Sequence, residues 1–178
     1  MDKDDIMGGG PSLAMSTIEQ NFNIRIHYYA RVNFTGFERV IDALGGITVD
    51  VERPLVDSEY PLPNYGTSRI YIPAGIQHMD GRTALQYARS RHSDSDLARN
   101  SRQQQVLLAL RQQGLNLGII DKLPELSQEL SDAVKTDLDV DTLFGLASLA
   151  QDIGSASIET FLIEPPMVYE AILTSGTA

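Results

Sequence analysis

The chain has 178 residues, about one domain's worth, and its 24 acidic against 14 basic side chains give a formal charge of −10 and a pI near 4.6. That balance excludes broad electrostatic binding to nucleic acid or to an anionic membrane, so any anion site must be local. A hydrophobic fraction of 42% is enough to build a core, and the absence of cysteine excludes disulfides, thiol nucleophiles and Cys-ligated zinc while leaving the compartment open.

In chain order, the acidic start ends in Gly8-Gly9-Gly10-Pro11, which can open a helix. It lacks the basic-then-apolar layout of a signal peptide, and no run approaches the ~20 apolar residues that span a bilayer, so the chain as written reads as soluble. Leu13, Met15, Ile18 and Phe22 predict a helix over about 12–21. From Ile24 to Phe34 apolar and polar residues alternate strictly, which predicts a strand with one buried face. Thr35 can cap a helix over 36–44 whose apolar face is Phe37, Val40, Ile41 and Leu44, and Gly45-Gly46 supplies its left-handed stop. A strand over 47–51 follows, so strand, helix and strand fit either a βαβ unit or an antiparallel arrangement.

The Pro-, Asp- and Gly-rich stretch from Pro54 to Ser68 predicts a long surface loop, and Ile70-Tyr71-Ile72 a short strand. A helix is expected from Asp80-Gly81 through Ala88, a polar break at 93–95, and a longer helix over about 97–113. Two further amphipathic helices are predicted over 121–134 and 141–153, then a strand over 158–163. The pattern places the chain in the α/β class, with several helices around a modest sheet.

The chemistry concentrates between residues 82 and 111, where Arg82, Arg89, Arg91, Arg99, Arg102 and Arg111 supply six of the fourteen basic residues. Arginine suits phosphate, because its planar fork makes two parallel charge-assisted bonds and keeps its proton. Arg99, Gln103, Val106 and Leu110 share one helical stripe, which aims Arg99 and Gln103 at the interior or a pocket. Asp96 can cap that helix and hold a neighbouring arginine. The same arginines would equally serve as partners for surface carboxylates.

Other constellations are weak. Asp137, Asp139 and Asp141 alternate like calcium-loop ligands, but Thr142 stands where an EF-hand needs Gly, so helix capping is the expected role. His27, His78 and His92 lack metal spacing, Gly8–Gly10 lacks the Lys-Ser/Thr of a phosphate loop, and no nucleophile elbow is present.

The run from Phe34 to Val51 (Phe34-Thr35-Gly36-Phe37-Glu38-Arg39-Val40-Ile41-Asp42-Ala43-Leu44-Gly45-Gly46, then Ile47-Thr48-Val49-Asp50-Val51) resembles a signature of the LytR-CpsA-Psr (LCP) family. So do Met79-Asp80-Gly81-Arg82-Thr83-Ala84-Leu85-Gln86-Tyr87-Ala88-Arg89-Ser90-Arg91, Asp94-Ser95-Asp96-Leu97-Ala98-Arg99 and Arg102-Gln103-Gln104. The resemblance covers about Gly9 to Ile163. It divides the chain into a non-matching leader (1–8), a partial LCP domain (9–165) and a C-terminal tail (166–178).

The resemblance implies a central mixed β-sheet flanked by helices in a bacterial, extracytoplasmic phosphotransferase, anchored in the membrane in the intact parent. Such enzymes move a glycopolymer from an undecaprenyl-pyrophosphate carrier to peptidoglycan or another wall acceptor, commonly with Mg²⁺. By kinship Arg89, Arg91 and Arg99 would bind the pyrophosphate, Gln103 would position it, and Asp96 would orient the arginines or assist proton transfer. Arg102 belongs to the same motif and to the substrate-binding set, although its helical angle differs from that of Arg99. The family's earlier strands, which carry an Asp and an Arg-Asp pair for metal and pyrophosphate, have no equivalent before Gly8. On this reading the domain is N-terminally truncated and the Mg²⁺ ligands lie in the missing part. Two other readings stand beside it: a non-catalytic module that binds polyprenyl pyrophosphate or wall polymer, and a transcriptional attenuator of envelope genes. Nucleic-acid binding is not expected, given the charge and the lack of a basic recognition helix.

Overall fold

The computed structural model describes residues 9–62, 65–91, 96–116, 132–153 and 158. Within them the chain runs α1 (Gly10–Phe22), β1 (Ala30–Val32), α2 (Phe34–Ala43), β2 (Ile47–Val51), β3 (Leu55–Pro61), β4 (Thr67–Ile72) and β5 (Gly75–Met79). It continues through α3 (Gly81–Arg89), α4 (Asp96–Asn116), β6 (Val134–Thr136) and α5 (Val140–Asp152). This is the expected mixture of helices and short strands. The described strands form three two-stranded antiparallel sheets, β1 with β6, β2 with β5 and β3 with β4, where one central mixed sheet was expected.

Among the described residues β1 and β2 lie in separate sheets, each with an antiparallel partner, and are not paired as a βαβ unit. The strand expected over 24–34 shrinks to Ala30–Val32. Upstream, Ile26 N–H donates to Glu19 Oε1 at 2.8 Å and Tyr29 N–H to Asp137 Oδ1 at 2.9 Å. Side chains satisfy backbone groups that a ladder would otherwise use. Val134, expected at the end of a helix, opens β6 instead, while 121–131 lie outside the described residues. The break at 93–95 and the strand over 158–163, but for Ile158, also lie outside them.

Helix α2 starts two residues earlier than expected because Asn33, not Thr35, is its N-cap, with Oδ1 accepting from Gly36 N–H at 2.6 Å. Its end follows the sequence closely. Gly45 and Gly46 have φ of 72° and 94°, and they donate to Asp42 O and Ile41 O respectively, the paired bonds of a Schellman stop. The chain is thereby turned straight into β2, where Ile47, Val49 and Val51 alternate inward at 0, 3 and 1% exposure. These residues join Ile41, Met79, Ala84, Tyr87 and Val106 in one core, each large apolar side chain contributing roughly 1.5–3 kcal/mol.

Helix α3 is set by three polar contacts at its start. Asp80 caps it by accepting from Thr83 N–H at 2.8 Å, and hydrogen bonds from the Thr83 side chain and main chain hold the Asp80 carboxyl below its usual range. Asp42 of α2 accepts from Gly81 N–H at 2.7 Å, joining the two helices. A Cβ at Gly81 would lie 2.2 Å from Glu38 O, so only glycine permits this crossing. Likewise Asp139 caps α5 through Thr142 N–H at 2.7 Å, the role expected for that acidic stretch.

The expected loop over 54–68 is instead the β3–β4 hairpin, its strands pairing from Leu55↔Ile72 to Pro61↔Thr67. A register shift between Asp57 and Tyr60 marks a bulge, stabilised by Glu59 N–H donating to Asp57 Oδ1 at 2.9 Å. The bulge resets the alternation, so Asp57 and Tyr60 both face inward, at 1 and 5% exposure, although three positions apart. Simple alternation would have buried the Glu59 carboxylate in place of the Tyr60 ring.

Candidate functional site

The site forms where α3 stops and α4 starts. Tyr87 and Ala88 anchor the last turn of α3 in the core, which puts Arg89 at the helix end on the opposite, half-buried side. Ser90 leaves the helix in an extended conformation, φ −54° and ψ 137°, and the chain reaches the exposed Arg91. Asp96 opens α4, where a carboxylate is favoured by the helix dipole, and Arg99 and Gln103 follow one and two turns later.

Arg89, Arg91, Arg99 and Gln103 line one open cleft of about 650 Å³, together with Phe34 and Pro61. Arg89 is braced on two sides. Its guanidinium carbon lies 3.8 Å from the centre of the Phe34 ring and 5.7 Å from that of Tyr60, and Nη1 donates to Tyr60 Oη at 3.4 Å. Burial pushes the Tyr60 phenol above its ordinary value, with Arg89 pulling it partly back, so the hydroxyl stays neutral near pH 7. Asp96 Oδ1 stands 3.0 Å from Arg99 Nη1 and 3.4 Å from Arg91 Nε, linking the cleft's two other arginines across the helix start. With the Arg91 and Asp96 side chains each 64% exposed, this bridge contributes little to stability. Gln103 Nε2 donates to Ala88 O at 3.3 Å, tying α4 to the end of α3.

The structure thus brings together Arg89, Arg91, Arg99 and Gln103, with Asp96 behind them. Arg102 is placed elsewhere. It is 6% exposed, its Nε and Nη2 donate to Tyr87 O and Ser90 O at 2.8 and 2.5 Å, and it does not line the cleft. Arg111 turns toward α5, donating to Ala150 O at 3.0 Å and to Ile153 O. The sequence reading missed Phe34, Tyr60 and Pro61. Phe34 stands inside a quoted motif with 57% of its surface exposed, a signal for a role outside the core, whereas Tyr60 reaches Arg89 only through the bulge.

Magnesium was expected by kinship, with its ligands outside these residues. The residues present do not fit it: none of the six lining the cleft is a carboxylate, and Asp96 is committed to two arginines. No group of three or more His, Cys, Asp or Glu that could hold a metal exists among the described residues. The cleft as built can grip an anion with several guanidiniums beside an apolar wall.

A sequence profile of the LytR_cpsA_psr family matches residues 6–175. The chain belongs to the LytR-CpsA-Psr family. It is 39% identical over 137 residues to the polyisoprenyl-teichoic acid–peptidoglycan teichoic acid transferase TagU of Oceanobacillus iheyensis, covering 76% of this chain and 40% of that protein. The crystal structure of Bacillus subtilis TagV superposes with a TM-score of 0.69 at 31% identity, over 85% of this chain and 56% of TagV. That of TagT bound to LIIa-WTA gives 0.66 at 30% identity, over 80% of this chain and 52% of TagT. The LCP chain thus spans about 40% of the length of the TagU sequence it matches. No helix among its described residues is long and apolar enough to cross a membrane.

Proposed function

We propose that this chain carries the arginine side of a site that transfers a glycopolymer, of the teichoic acid class, from a polyisoprenyl-pyrophosphate carrier to peptidoglycan or another wall acceptor. The observation that carries the reading is the convergence of Arg89, Arg91, Arg99 and Gln103 on one cleft in a protein of net charge −10. Kinship with TagU, whose name states transfer of a polyisoprenyl-linked teichoic acid to peptidoglycan, supplies the substrate class.

In this reading the guanidiniums bind the two phosphates and Gln103 donates to an oxygen between them. An acceptor hydroxyl attacks the phosphorus nearest the polymer, the bridging P–O bond breaks, the carrier departs as its monophosphate, and the hydroxyl proton passes to solvent. Negative charge grows on the departing phosphate and on the phosphoryl in flight, where fixed guanidiniums stabilise it without reorganising. Asp96 keeps Arg91 and Arg99 oriented. Phe34 and Pro61 form an apolar wall beside the anion, suited to the first part of a lipid carrier.

The test is binding of a polyprenyl-pyrophosphate saccharide to the purified chain, wild type against the Arg89→Ala, Arg99→Ala double variant. Two charge-assisted contacts at roughly 1.5–3 kcal/mol each predict a loss of roughly 10²- to 10⁴-fold. Unchanged binding by the folded double variant would refute the reading. Binding of the carrier without any product formed when an acceptor is supplied would favour the non-catalytic module instead.

A further inference from the structure

Arg102 brings a guanidinium into the interior without reaching the cleft, and its two recorded main-chain bonds close over the carbonyls at the end of α3. One of those carbonyls belongs to Ser90, which is itself 1% exposed and gripped a second time from the other side. Its Oγ donates to Asp57 Oδ2 at 2.7 Å, and Asp57 is in turn fixed by the bulge in β3. Three elements, β3, the end of α3 and α4, therefore meet on a single residue. That residue stands between Arg89 and Arg91.

Taking a carboxylate and a guanidinium out of water is costly, and well-packed apolar residues of similar size would often be as stable. No buried side-chain polar atom among the described residues lacks a hydrogen-bond partner, so the cost here is offset by directed bonds. Direction is what apolar packing would not supply. The chain changes from helical to extended at Ser90, so its φ and ψ set where Arg91 lies relative to Arg89. Pinning both the Ser90 side chain and its carbonyl removes that freedom before any ligand arrives.

We infer that Asp57 and Arg102 are positioning residues, acting through Ser90 to fix the spacing of Arg89 and Arg91 at the span of two linked phosphates. The inference rests on the pyrophosphate reading of the cleft. It also gives Arg102 a different task from the direct substrate contact that its motif suggested.

Titration calorimetry with inorganic pyrophosphate and with inorganic phosphate separates the possibilities. The full chain is compared with Ser90→Ala, with Arg102→Lys, and with Ile47→Ala, a destabilised core variant away from the cleft. Ser90→Ala and Arg102→Lys are each expected to weaken pyrophosphate about tenfold and phosphate by about twofold or less, lowering the ratio of the two affinities. Ile47→Ala should leave that ratio unmoved. On an Arg91→Ala background the effect of Ser90→Ala should largely vanish, since the two act in series. A ratio unchanged in folded Ser90→Ala, or falling equally in Ile47→Ala, overturns the inference; Ser90→Ala tests the Asp57 bond and Arg102→Lys the carbonyl bond, with Arg102→Gln compared in its place should Arg102→Lys fail to fold. Wild-type pyrophosphate affinity in Arg99→Ala would instead overturn the cleft reading beneath it.

Discussion

Replacing Phe34 with Leu tests how the cleft holds an arginine ready for an anion. The ring lies 3.8 Å from the Arg89 guanidinium carbon, close enough for a full cation–π contact, but Phe34 is 57% exposed, which puts the contact at the weak end of the range, about 0.5–1 kcal/mol. Leucine keeps the apolar wall and is a good helix former at the start of α2, so the fold is not expected to change. What is lost is part of the preorganisation of Arg89, which keeps a long, 3.4 Å bond to Tyr60 Oη and the Tyr60 ring at 5.7 Å. Ordering a rotamer-rich side chain on binding costs about 0.5–1.5 kcal/mol, and the stack supplies part of it in advance. Affinity for a polyprenyl-pyrophosphate saccharide should therefore fall roughly 2- to 5-fold, read by calorimetry on protein whose melting temperature is unaltered. The same fold-loss on an Arg89→Ala background would refute the reasoning, because the ring would then be acting on the ligand directly. No loss in Phe34→Leu alone would show that the stack contributes nothing.

Gly81→Ala should cost about 1–3 kcal/mol, since the new Cβ would meet Glu38 O at 2.2 Å and Glu38 Cα at 2.6 Å, main-chain atoms that move only if α2 and α3 separate. Scanning calorimetry should show Tm lower by roughly 2–12 °C, and a variant melting with the wild type would show that the crossing is looser than described. Tyr60 titrates above its ordinary value of 10.0 in the folded chain, through burial, so the folded state retains this proton when the unfolded state has lost it. Stability from this group is complete below the unfolded value and is lost as pH rises through the folded one. Denaturant melts should thus show stability falling above about pH 10, with a shallower fall in Tyr60→Phe; equal slopes would remove Tyr60 from the alkaline limb.

Local signals were legible wherever a residue type has one conformational use. Gly45-Gly46 forms the predicted stop of α2, Asp139 caps α5, and Asp80-Gly81 opens α3. Pairing was not legible, because the partner of a strand is decided by distant residues. Ile24 to Phe34 has the alternation of a strand, yet Glu19 and Asp137 take two of its N–H groups and leave a ladder only at Ala30–Val32. The β3–β4 hairpin was hidden differently. Its Pro, Asp and Asn residues read as loop chemistry, and the bulge between Asp57 and Tyr60 erased the alternation that would have exposed it.

The arginine site shows where helical geometry succeeds and where it misleads. Arg99 and Gln103, four apart, do share a face and reach the same cleft, as the spacing requires. The stripe drawn from them runs through Val106 and Leu110, which do meet the core, but the buried face is wider than the stripe and takes in Arg102. Val106, 1% exposed, lies one turn beyond Arg102, 6% exposed, and Ala109 packs on the core from the same side. At about 100° per residue Arg102 is some 60° from Arg99, enough to move a guanidinium from the edge of the core into it. A charged residue among apolar neighbours at helical spacing reads from sequence as an error of register. Here the carbonyls of Tyr87 and Ser90 make the burial affordable, and nothing local to α4 announces them. Motif membership put Arg99 and Arg102 in one binding set, and their burial separates them: Arg99 lines the cleft, while Arg102 closes over the carbonyls of Tyr87 and Ser90.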